Sequence, residues 1–68
     1  MQLEIEYEQE LDGRWIAEVV EIPGVMAYGR TKEEAITKVK VLALRVIADR
    51  IERGESTPEF LRFSLAPG

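Results

Sequence analysis

Neither cysteine nor histidine occurs anywhere in the chain. Without cysteine there is no disulfide, no thiolate nucleophile and no cysteine-ligated zinc. Without histidine the commonest general base and the commonest metal ligand are missing, and Ser56 and Ser64 have no imidazole to activate them. Asparagine is absent as well, which beside many Glu and Arg suggests a heat-adapted composition. No run approaches the roughly 18 apolar residues of a membrane span, and Met1-Gln2-Leu3-Glu4 is not the basic start of a signal peptide. The expectation is a cytoplasmic protein with no membrane contact, no cofactor and no metal.

What is present is short and acidic. A single domain spanning residues 1–68 is expected, and a chain of this size hides only about 60% of its unfolded surface. With disulfides excluded, self-association is the natural supplement to so small a core. The formal charge is −4, unevenly placed: residues 1 to 21 hold seven acidic side chains against Arg14 alone, and the remainder carries an excess of +2. Such an acidic first half repels phosphate backbones and attracts basic partners. It offers no basic stripe for direct nucleic-acid binding.

Residues 3–8, "LEIEYE", alternate strictly, with Leu3, Ile5 and Tyr7 on one face and Glu4, Glu6 and Glu8 on the other. That period is a half-buried strand. Asp12-Gly13 supplies the positive backbone angles of a hairpin turn. "RWIAEVV", residues 14–20, is rich in aromatic and β-branched residues and apolar on both faces, so it is expected to run centrally. The sequence leaves open which of its faces meets the rest of the core.

The densest stretch is "EIPGVMAYGRTKEEA", residues 21–35. Ile22-Pro23-Gly24-Val25 fits a type II turn, "VMAY" resumes as a third strand, and Gly29 lets the chain leave the sheet. Thr31 with Glu34 reads as a capping box, the hydroxyl accepting from the amide three residues on and the carboxylate reaching back to the Thr31 amide. The helix is expected to run to Arg53 and stop at Gly54. Ser56, Thr57 and Pro58 form a short loop, and "FLRFSLA" closes as a fourth strand with Leu61, Phe63 and Leu65 inward. The fold class is α+β: a two-layer β-β-β-α-β domain with one helix packed on a mainly antiparallel sheet.

Along the helix Ala35, Ile36, Val39, Leu42, Ala43, Val46, Ile47 and Ile51 make one broad apolar stripe, with Arg50 near its centre. Val41, Leu44 and Ala48 fall outside it, and a helix covering a sheet on one side has no use for them. They are read as an oligomer interface.

Three chemical readings are set aside. The row of Glu4, Glu6, Glu8 and Glu10 resembles a hard-metal site, but neighbours on one strand cannot close an oxygen shell without ligands from another element. A solvated strand face explains it. Asp12, Glu18 and Glu21 sit at turns or on a sheet face, not in the cleft a catalytic carboxylate pair requires. Gly24 to Gly29 matches the glycine spacing of a phosphate loop, but Arg30-Thr31 stands where Lys-Ser/Thr is needed.

Taken together, Asp12-Gly13, Trp15, Ala17, Ile22-Pro23-Gly24, Gly29, Thr31 and Glu34-Ala35 resemble the N-terminal domain of HicB-like antitoxins. The likeness covers residues 3 to about 61. It implies a partial ribonuclease-H-like β-β-β-α-β fold without catalytic residues, and a non-enzymatic inhibitor that docks on a small basic HicA-type RNA-cleaving toxin. The toxin-docking residues it implies are the acidic Glu4, Glu6, Glu8, Asp12, Glu18 and Glu21, which suit a cationic partner. Relatives usually continue into a DNA-binding segment, whereas this chain ends at Gly68, and Val25 stands where many members carry cysteine. The alternative is a stand-alone structural or regulatory oligomer without a toxin. A metal-dependent nuclease, suggested by fold analogy alone, ranks last.

Overall fold

The computed structural model describes residues 1–55 and 58–68. Four strands and one helix follow the expected order: β1 (Gln2–Gln9), β2 (Trp15–Val19), β3 (Met26–Gly29), α1 (Lys32–Glu52) and β4 (Arg62–Pro67). The sheet order is β3-β2-β1-β4, so β2 is central, as its apolar faces predict. β1 pairs antiparallel with β2 and β2 with β3, while β4 joins β1 in parallel. β3 and β4 run parallel at opposite edges of the sheet, so no tight turn can join them and a crossover of a dozen or more residues is needed. The long helix is that crossover, carrying the chain from one sheet edge to the other.

Helix contact settles which face of β2 is inward. Ala17 and Val19 are buried, together with Leu3, Ile5, Ile22, Val25 and, on α1, Ala35, Ile36, Val39, Ala43 and Ile47. Trp15 and Tyr7 close one end, their ring centroids 6.5 Å apart. The opposite β2 face, with Ile16, Glu18 and Val20, points outward.

Local chemistry builds the joints. Gly13 N–H donates to the Glu10 carbonyl at 2.9 Å and Glu10 N–H to the Arg14 carbonyl at 2.7 Å. Only Gly13 has a positive φ there, 93°, so the first hairpin closes on a glycine bulge and Asp12 keeps an ordinary backbone. Val25 N–H reaches the Ile22 carbonyl at 3.1 Å with Gly24 at φ 89°, the type II turn anticipated for Pro23-Gly24. At the helix C-terminus Gly54 N–H donates to Ile51 and Glu55 N–H to Arg50. This paired pattern around a left-handed glycine is a Schellman stop.

Four expectations need correction. Thr31 Oγ1 does accept from Glu34 N–H at 3.1 Å, but the Glu34 carboxylate accepts from the Arg30 amide at 3.2 Å, one residue earlier than the capping box predicts. Gly29 has no positive φ; a Cβ there would lie 2.5 Å from the Ala35 nitrogen, so glycine is present because the first helical turn presses on β3. Ile51 is 39% exposed. A helix of 21 residues spans about 31 Å, well beyond the short β2 and β3, so its last turn has no strand beneath it. Leu65 is 53% exposed, although it shares a face with its buried partner Ile5. The cause is that α1 packs over β3, β2 and β1, and although Lys40 reaches the Phe63 ring of β4, Leu65 is left uncovered. The loop anticipated at Ser56-Thr57-Pro58 includes residues 56 and 57, which lie outside the described residues.

The cap gives a first expected result. Thr31→Ala removes the acceptor for the Glu34 amide and should cost about 1 kcal/mol, read as a lowered urea midpoint at unchanged slope.

Candidate functional site

The strand period that buries Leu3 and Ile5 necessarily turns Glu4, Glu6 and Glu8 to the other side of β1. Register decides what they meet. Glu6 lies opposite Glu18, and Glu8 opposite Ile16; Ile16 faces Tyr28 and Glu18 faces Met26 across the next pair. The outer sheet face is therefore a grid in which carboxylates on β1 and β2 border an apolar strip of Ile16, Met26 and Tyr28. Val20, Met26 and Tyr28 are exposed. Glu6, Glu8, Ile16 and Glu18, with Tyr7 and Gly68, line a shallow depression of about 120 Å³.

The carboxylates of this face have no ion-pair partner among the described residues. The ion pairs among the described residues are Asp12 with Arg14, Glu34 with Lys38, and Arg53 with Asp49 and Glu55. None involves Glu4, Glu6, Glu8 or Glu18. Two like charges directly opposed on neighbouring strands destabilise a sheet. The Glu6–Glu18 pair thus works against the fold unless something cationic is placed on it.

The acidic residues predicted as a docking set are not one surface. Glu4, Glu6, Glu8 and Glu18 share the outer face. Asp12 is at the hairpin tip, where its carboxylate binds the Arg14 Nε at 2.8 Å and the Arg14 amide at 3.0 Å; those contacts, the backbone one first, lower its pKa. Glu21 lies beyond the end of β2 and accepts from the Glu4 backbone amide at 2.9 Å. Asp12 is therefore already neutralised locally, and Glu21 is a brace for β1. The motif residues Trp15, Pro23, Gly24, Gly29, Thr31, Glu34 and Ala35 all serve joints or core. Glu34, whose pKa is lowered first by the Arg30 amide and then by Lys38, belongs with them.

Sequence reasoning missed the apolar half of the site. Met26 and Tyr28 alternate with the buried Val25 and the half-buried Ala27, a signal visible in "VMAY" but too short to fix which face is which. It also missed the role of Arg14, whose guanidinium stacks 4.5 Å from the Tyr28 ring centroid. That stacking covers one corner of the face with cationic and aromatic surface.

No described polar side chain is buried, and no group of three or more acidic side chains among the described residues is placed to hold a metal ion. No described helix is long and apolar enough to cross a membrane. Comparison of the chain with protein-family models, curated proteins and solved structures gave no match.

Proposed function

We propose that this protein acts by binding rather than by catalysis, as a HicB-type antitoxin that docks on a small basic RNA-cleaving toxin and occludes its nucleic-acid surface. The single observation that supports this most is the outer sheet face: carboxylates held side by side with no ion-pair partner among the described residues, bordering exposed apolar side chains. A basic protein surface relieves the Glu6–Glu18 repulsion on docking, and Ile16, Met26 and Tyr28 supply the apolar contact that charges alone lack. Opposite fields speed the encounter and make it salt-dependent. Competition with RNA is then direct, since the same cationic surface cannot hold a phosphate backbone and these carboxylates together.

The test is co-purification with the product of the neighbouring reading frame, which on this reading encodes a short basic protein. A complex that suppresses RNA cleavage is expected. Absence of any complex at micromolar concentration removes the antitoxin reading. A purified protein that cleaves RNA with magnesium or manganese and loses that activity on chelation would overturn the non-catalytic reading itself.

A second reading, a structural or regulatory oligomer without a toxin, is favoured by the outer side of α1. Val41 and Leu44 are 44% and 46% exposed, and with Ala48 they sit at spacings of three and four on one helical face. On this second reading they are buried against a second copy. Leu44→Glu should therefore give a smaller particle by light scattering, and an unchanged mass refutes that interface.

A further inference from the structure

The other unfinished surface is the β4 edge. Arg62 N–H donates to the Met1 carbonyl and Gly68 N–H to the Tyr7 carbonyl, so the even-numbered residues of this segment turn their backbone toward β1. Strand alternation then turns the N–H and C=O of Phe63 and Leu65 to the open side, with only a carbonyl at Pro67. Natural edge strands are normally blunted by charge, bulge or cover. Here both residues with free backbone groups are apolar: Phe63 is half-buried against the core, while Leu65 is left exposed.

The surroundings of this edge are continuous with α1. The Lys40 Nζ lies 5.7 Å from the Phe63 ring centroid, which marks the helix flank facing β4. Leu44 and Ile51 project within about 40° of Lys40 around the helix axis. The resulting step is open. The accessible surface of 4732 Å² exceeds the roughly 4,300 Å² expected for a folded monomer of this mass. The radius of gyration of 12.5 Å likewise exceeds about 11 Å.

We infer that a second copy of the chain pairs with this edge, β4 against β4, antiparallel about a two-fold axis at Ser64. Among the possible registers this one lets Phe63 of each copy exchange both backbone hydrogen bonds with Leu65 of the other, and it sets Pro67, which has no N–H, opposite Leu61, beyond the end of β4. On the inner face Phe63 and Leu65 of both copies pool into one cross-strand apolar cluster beside the helix flanks. On the outer face Ser64 meets Ser64 and Arg62 of one copy comes opposite Ala66 of the other.

Charge fixes the occupant as a second copy. Ala66 is the β1 neighbour of Glu6, so Arg62 of one copy lies two strand spacings, about 10 Å, from Glu6 of the other. With only a small alanine between them, an arginine and a glutamate span that distance. Neither Arg62 nor Glu6 has an ion-pair partner among the described residues of its own chain. Two-fold symmetry makes the contact twice, and no like charges oppose one another across the seam. The inference shares Glu6 with the toxin-docking reading but leaves Glu4, Glu8 and Glu18 open on the outer face.

The chain's lack of cysteine makes the test clean. Ser64→Cys should cross-link to a disulfide dimer on mild oxidation, whereas Leu11→Cys, at the fully exposed hairpin tip, should stay largely unlinked. By light scattering the wild-type protein should reach at least twice 7.7 kDa. Arg62→Glu should raise the dissociation constant of this contact by about tenfold, and adding Glu6→Arg should restore it. A monomeric mass at every concentration, equal cross-linking of the two cysteines, or indifference to the charge reversal would overturn the pairing.

Discussion

Gly29→Ala is expected to remove about 3 kcal/mol of stability, a third or more of what so short a chain has. The added Cβ would sit 2.5 Å from the Ala35 nitrogen and 3.0 Å from both the Ala35 Cα and the Glu34 carbonyl carbon. All three are backbone atoms of the first helical turn, so no side chain can rotate away. Either α1 lifts from β3, exposing Ala35, Ile36 and Val39, or β3 bends away from β2. Overpacking that forces backbone to move costs about 3 kcal/mol, and a domain of this length has only about 3–10 kcal/mol in total. Gly13, Gly24 and Gly54 differ, having open space around them and a positive φ as their reason. Denaturant titration followed by circular dichroism reads the result. A Gly29→Ala variant within 1 kcal/mol of wild type would mean that α1 and β3 are not packed as described.

Glu18→Lys should separate stability from function. Opposite Glu6 it turns a repulsive cross-strand pair into an attractive one, worth about 0.5 kcal/mol in favour of the fold. At the same time it places a cation in the middle of the proposed docking face. For a steered, charge-complementary interface, that reversal should weaken binding of a basic partner by roughly 100-fold. A purely structural role for Glu18 predicts no such division. Equal or tighter binding by Glu18→Lys, at undiminished stability, would remove the acidic face from the interface.

The fold was largely legible because its signals are local. Strict alternation in β1, the Pro23-Gly24 turn, the threonine cap and the glycine stop each act within a few residues, and each appears where the sequence places it. Quantities that depend on relative placement were not legible. Nothing local to Leu65 says that α1 runs over β3 rather than β4, so an inward-facing leucine is left bare. Nothing local to Ile51 says that the sheet ends before the helix does. Sequence alone marks Gly29 as a release point; its contact with Ala35 depends on how the helix packs back. At the candidate site the acidic row was plain from the period of β1. The like-charge opposition of Glu6 and Glu18 required the register between two strands, and the neutralisation of Asp12 by Arg14 required the hairpin geometry.

The central claim is that this protein works through an acidic, partly apolar sheet face offered to a cationic protein. Its most direct test is a calorimetric titration with the product of the neighbouring reading frame, which the proposal expects to be a small basic nuclease, at low and at physiological salt. The claim predicts a saturating stoichiometric complex whose affinity falls as salt screens the opposed fields, together with loss of RNA cleavage at the equivalence point. No heat of binding and undiminished cleavage at either salt concentration would contradict it.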